Sequence, residues 1–175
     1  MRCSPGLLAL ALVLTGCPGN KRKLPADPPD MKRAWGTKLS VPQPEEYEVL
    51  RDGASSVEDV GKRGGVSLVR SRGGEATTSI VVDLGQTPTG TWSHSECQQL
   101  SEDVAKLQDA TARGAEVLEL PTGSSCHFVT EAKDQPPTEF FYVAGAPPYI
   151  VACRGQAHDL PAHCKYVASW IRPKA

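Results

Sequence analysis

One segment limits the possible architecture more than any other. Ser93 and Glu96 stand three residues apart, the spacing at which a serine caps the first turn of a helix and a glutamate caps the serine in return. Trp92 and Cys97 sit at the two staple positions beside them. Cys97, Leu100, Val104 and Leu107 then recur at intervals of three and four, while Gln98, Glu102, Asp103, Lys106 and Asp109 fill the other side. The pattern predicts an amphipathic helix over 94–113, ended by Gly114. Such a helix must lay its apolar stripe on another element, and its neighbours in the chain are of β type.

Before it, Val66 to Arg70 and Thr77 to Leu84 flank Arg72-Gly73-Gly74-Glu75, which reads as a hairpin. Ile80, Val82 and Leu84 alternate with Ser79, Val81 and Asp83, a period of two that suits a sheet with a buried face. Thr37 to Val41 and Tyr47 to Leu50 are further extended candidates, and Gly53 to Gly65 reads as loop with one helical turn around Val57 and Val60. After the helix come Glu116 to Leu120, Ser125 to Glu131, Thr138 to Ala144 and Tyr149 to Arg154, separated by glycine and proline turns. Their close spacing favours antiparallel pairing, because parallel strands need a long crossover. Asp159 stands where it would cap a second helix, with Pro161 in the first turn and Leu160, Cys164, Val167 and Ile171 as its stripe. The order predicts an α+β fold, an antiparallel sheet with two main helices packed on it. It resembles the Mog1/PsbP-like family in Leu39-Ser40-Val41-Pro42, in the long helix after a hairpin, and in a terminal helix ending Val167-Ala168-Ser169-Trp170. That resemblance spans residues 37 to 172 and implies a small binding or assembly factor without catalysis.

The other informative stretch lies near the start. Arg2 precedes an apolar run, Leu7 to Val13, and Leu14-Thr15-Gly16-Cys17 follows. The run is too short to span a bilayer, which needs roughly 20 apolar residues, but it suits a signal peptide. The four residues resemble the lipobox of bacterial lipoproteins. The resemblance implies that residues 1–16 are removed and that Cys17 becomes a lipidated N-terminus, its thiol carrying a diacylglycerol and its amine an acyl chain such as palmitate. Several chains hold a protein stably where one does not. In some lineages of that family an aspartate after the cysteine is an inner-membrane signal, so the resemblance, with Pro18 in that place, implies the outer membrane. Residues 17–36, with Pro18, Pro25, Pro28 and Pro29, are expected to form a flexible tether. One domain is expected over 37–175.

Cys3 leaves with the signal and Cys17 takes the lipid, so Cys97, Cys126, Cys153 and Cys164 remain. An even number in an oxidising compartment favours two disulfides. Cys153 ends a strand and Cys164 lies on the stripe of the helix that follows. Cys97 opens the other helix, and Cys126 lies on a strand beside Phe128. These placements favour Cys97–Cys126 and Cys153–Cys164, each fastening one helix to the sheet. Cys97–Cys164 with Cys126–Cys153 stays open, since neighbouring strands and neighbouring helices could also bridge.

Charge is uneven. Residues 18–36 carry five cations against two carboxylates, a net of +3, and residues 37–175 carry 13 against 18, a net of −5. The acidic body argues against a nucleic-acid partner. Cys153, His158, His163 and Cys164 could form a zinc or copper site if reduced, which makes a metal-handling lipoprotein the alternative reading. Thiols in an exported protein oxidise, so no metal or other cofactor is expected. Ser124-Ser125 lacks the glycines of a nucleophile elbow, and Gly61-Lys62-Arg63-Gly64-Gly65 is not a P-loop. Glu45-Glu46 and Glu102-Asp103 read as solvated faces, and Trp92 and Trp170 as packing. The expectation is a lipid-anchored envelope protein without catalysis, in contact with the membrane through Cys17 and with an envelope protein as partner.

Overall fold

The computed structural model describes residues 31–36, 38–50, 65–72, 75–85, 90–145 and 147–173. The signal segment with Cys17, the loop over 53–64 with its expected turn at Val57 and Val60, and the Gly73-Gly74 turn lie outside the described residues. The elements are β1 (Arg33–Trp35), β2 (Leu39–Pro42), β3 (Glu48–Val49), β4 (Val66–Arg72), β5 (Glu75–Leu84), α1 (His94–Leu107), β6 (Ala110–Leu120), β7 (Gly123–Ala132), β8 (Thr138–Val143), β9 (Tyr149–Gly155), α2 (Leu160–Trp170) and β10 (Arg172–Pro173). Neither described helix is long and apolar enough to cross a membrane.

The fold is α+β, as the order of patterns predicts. Seven strands form one antiparallel sheet in the order β3-β4-β5-β9-β8-β7-β6, and β1-β2-β10 form a smaller one. The strand alternation sends adjacent side chains to opposite faces. Phe140 joins a cluster with Trp92, Cys97, Cys126 and Phe128 under α1. Its neighbour Phe141 joins Val151, Cys153, Cys164 and Val167 under α2. The two helices therefore lie on opposite faces of the seven-stranded sheet. The smaller sheet shares the α2 side, to which it contributes Ala34, Leu39 and Val41.

Several boundaries differ from expectation, each for a physical reason. α1 stops at Leu107, six residues before the expected end. Gln108 closes it, its N–H donating to Val104 and Ala105, and Asp109 takes a positive φ of 49°, a conformation that aspartate tolerates better than most side chains. Residues 110–113 pair instead with β7. Gly114 does not end the helix. It sits at φ 69° in a break of register between Arg113 and Glu116, as glycine does in a β-bulge. The buried face of α1 is also rotated: Cys97, Ser101 and Ala105 face the sheet, Leu100 and Val104 flank them, and Leu107 is 87% exposed. Ser101 meets its own need for a partner by donating to the Gln98 carbonyl at 2.8 Å. The fold begins before residue 37, because β1 pairs with β2 and Ala34 is buried. Residues 33–36 therefore do not belong to a tether.

Candidate functional site

Both favoured disulfides are present. Cys97–Cys126 joins α1 to β7 with alpha carbons 5.2 Å apart, and Cys153–Cys164 joins β9 to α2 at 6.0 Å. All four residues are fully buried. The expected stripe of α2, Leu160, Cys164, Val167 and Ile171, is buried with them. The bridges take up the sulfurs that a Cys153–His158–His163–Cys164 metal site would need, since a metal ligand must be a thiolate.

α2 begins unlike α1. Ser93 caps α1 as expected: its hydroxyl accepts from the Glu96 N–H at 3.2 Å, and Glu96 returns the bond to the Ser93 N–H at 2.9 Å. Asp159 does not cap α2. Its backbone is helical, and its carboxylate makes no bond to the first turn. It takes the Arg70 guanidinium instead, in a two-pronged contact of 2.7 and 2.8 Å. Arg70 stands next to a break of register in β4 between Arg70 and Ser71, a feature that re-aims a side chain. Its guanidinium also donates to Glu46 at 2.6 Å and lies 5.3 Å over the ring of Tyr47. Glu46, expected as part of a solvated face, is thus held by a charge 24 residues away. The Arg70 bond keeps Asp159 well below the usual carboxylate range, and the two carboxylates hold Arg70 in its charged form. Burial raises the Tyr47 phenol, against a bond from Thr78. His163 meets Tyr47 edge to face at 5.5 Å, and its buried Nδ1, 3.9 Å from Asp159, has no hydrogen-bond partner among the described residues.

Beside this cluster lies an open cleft of about 790 Å³, lined by Arg70, Arg72, Thr77, Thr78, Gly155 and Gln156 among others. Gly155 shapes its floor. At φ 149° it approaches the neighbouring strand so closely that a Cβ would stand 2.5 Å from Thr78 Cγ2 and 2.9 Å from the Thr77 oxygen. Among the described residues lining the cleft Glu46 is the one carboxylate, and there is no histidine, aspartate or cysteine. Its chemistry is that of hydrogen bonding: one guanidinium fixed by two carboxylates, a second on an exposed residue, two threonines and a glutamine.

A second polar cluster lies far along the same face of the sheet. Glu116 on β6 stands opposite His127 on β7. His127 Nδ1 is 3.0 Å from Glu116 and Nε2 is 2.7 Å from Glu139 on β8, with the ring tilted over Phe141 at 4.5 Å. The protonated ring donates both bonds. Burial disfavours that charge, but the bonds to Glu139 and Glu116 outweigh it and hold His127 above its ordinary value. Ser124 and Ser125 are both buried, and Ser124 Oγ accepts from the Trp92 N–H at 3.1 Å. Trp92, as expected, is a packing residue, with its indole N–H donating to the Tyr142 carbonyl at 2.7 Å.

Neither the Arg70 cluster nor the His127 clamp was visible as a local motif. For His127 the signal that could have found it is alternation: Glu116, His127 and Glu139 occupy the same face once three adjacent strands are aligned. No family model matches the chain, and no curated protein matches it.

Proposed function

We propose that the protein is a lipid-anchored component of the bacterial cell envelope that binds or supports another envelope molecule without catalysis. The observation that carries this reading is Leu14-Thr15-Gly16-Cys17 placed directly after the short apolar run Leu7 to Val13. Only the thiol at position 17 can take the lipid, and the small residues before it leave the bond accessible to a peptidase. Pro18 favours the outer membrane as the site. Two features of the folded part support a binding role. The four cysteines of the domain are bridged, so none is a thiolate nucleophile or metal ligand. The cleft beside Arg70 offers hydrogen-bonding groups fixed by ion pairs, which suits recognition. The resemblance to Mog1/PsbP-like proteins points the same way.

Labelling with a fatty acid, followed by membrane fractionation, tests the anchor. The native chain should carry label and sediment with membranes, and Cys17→Ser should lose both. Unchanged labelling of Cys17→Ser would falsify the reading. Capture after crosslinking, with Arg72→Glu as the comparison, tests the cleft: the variant should recover less of the partner while the fold and the lipid stay intact.

A further inference from the structure

We propose that the exposed edge strand β1 docks on the anionic surface of the bilayer, with Trp35 as the group that enters the interface. This inference rests on the lipid-anchored reading of Cys17.

Trp35 is 62% exposed, and among the described residues only Leu107 is another large hydrophobic side chain so open to water. It sits on β1, at the edge of the smaller sheet. Alternation explains its direction: Ala34 turns into the core at 2% exposure, and Trp35 therefore turns away from it. The register places Trp35 opposite Ser40, but Ser40 and the rest of β2 are buried, so the part of this side open to solvent is the β1 edge that carries Trp35. Arg33 lies two residues back along the same face and is tied to the fold through the carbonyls of Ser40 and Trp170. Exposed Lys32 and Lys38 stand at either end of this segment. The three strands contain two arginines and no carboxylate, although residues 37–175 as a whole are acidic.

The position in the chain selects the occupant. Seventeen residues, 18 to 34, separate the lipidated cysteine from Trp35. Even fully extended they reach only about 50 Å, and less as a coil. The tether joins the domain at β1, so this edge is the part of the fold connected most directly to the anchor. An indole suits the headgroup level, where its ring meets acyl chains and its N–H meets water. Cations beside it are attracted by anionic lipid over a Debye length. A tryptophan on an acidic surface far from the tether would carry no such argument.

The test uses the chain beginning at Cys17, coupled through that thiol to a maleimide phospholipid in vesicles, the other four thiols being bridged. The vesicles contain phosphatidylglycerol and acyl chains brominated near the headgroup, which quench tryptophan on contact. Docking predicts loss of about one third of the emission, the share of one tryptophan among three. Trp35→Ala should show no loss, since Trp92 is buried and Trp170 half-buried. Replacing phosphatidylglycerol by phosphatidylcholine, or changing Lys32 and Lys38 to glutamine, should weaken the quenching. Equal quenching in the native chain and Trp35→Ala overturns the proposal. So does a blue shift of Trp35 that grows with protein concentration in the absence of lipid and accompanies dimerisation, which would make this edge a contact between copies. The mass of the Cys17 peptide from cells reports native lipidation separately. Its failure would remove the anchor and leave the coupled-vesicle result standing, so the two ideas fail in different ways.

Discussion

The two helices lie on opposite faces of one sheet, and each is joined to it by a single disulfide, yet they are finished by different means. α1 carries its own terminus: Ser93, Glu96 and the Trp92–Cys97 pair are all within six residues. α2 borrows its terminus from the rest of the molecule, because Asp159 turns from its own first turn to Arg70, 89 residues earlier. The first arrangement is legible in the chain and the second is not. The difference also separates their consequences. Loss of the α1 cap should be felt by one helix, whereas loss of the Arg70–Asp159 pair removes a link between the N-terminal strands, α2 and the cleft between them.

The largest effects should come from the bridges. Replacing Cys97 and Cys126 together by alanine opens a 29-residue separation, and replacing Cys153 and Cys164 opens one of 11. Loop closure alone makes these losses about 3.5 and about 3 kcal/mol. Denaturation curves of the two double variants measure them, and a greater loss for the shorter loop would show that packing under α2 outweighs chain entropy. Gly155→Ala comes next, at about 2 kcal/mol, since the new Cβ must push against Thr78 and the Thr77 carbonyl; an unchanged melting temperature would mean that the floor of the cleft can yield.

Ser93→Ala should cost about 1 kcal/mol. At the other helix Asp159→Ser keeps a residue able to cap but removes the carboxylate, and it should destabilise the fold as Asp159→Ala does. Were Asp159→Ser neutral, α2 would be shown to need a cap like any other helix. Arg70→Met and Asp159→Asn should be strongly non-additive in a double-mutant cycle, as partners in one contact are.

The smallest effect is one of pH. His127 is held above its ordinary value by Glu139 and Glu116, so its contribution is fully present below the pKa of the unfolded chain. It is lost as pH rises through the higher value in the fold. Stability measured across neutral pH should therefore decline by an increment that His127→Gln lacks. A rise with pH assigned to His127 would contradict the clamp.

Much of the fold was legible because its signals are local. Alternation marked β5, turn residues separated β6 to β9, and the cysteines fell on the faces from which they bridge. The end of α1 was not, because residues 108–113 suit a helix pattern until β7 is there to pair with them, and a positive φ at Asp109 leaves no periodic trace. The candidate site was harder still. Arg70, Glu46, Asp159 and Thr78 have no fixed spacing; they meet only because β4 and β5 pair and α2 starts above their ends. A charged residue within a strand pattern, such as Arg70 after Val66, Leu68 and Val69, is the one mark the sequence offers.

The order of strands carries a consequence for how the chain is made. β3, β4 and β5 form one local group and β6 to β9 another, and among the described residues the strand pairing between them is β5 with β9. Ile80 and Val82 are complete on that side only when Cys153 and Val151 arrive, some 70 residues later in synthesis. Until then β5 is an open edge, able to pair with any passing strand. The early group has an edge exposed to other chains during synthesis, and the late group, whose contacts are near in sequence, can assemble first and serve as the template on which the older half is finally set.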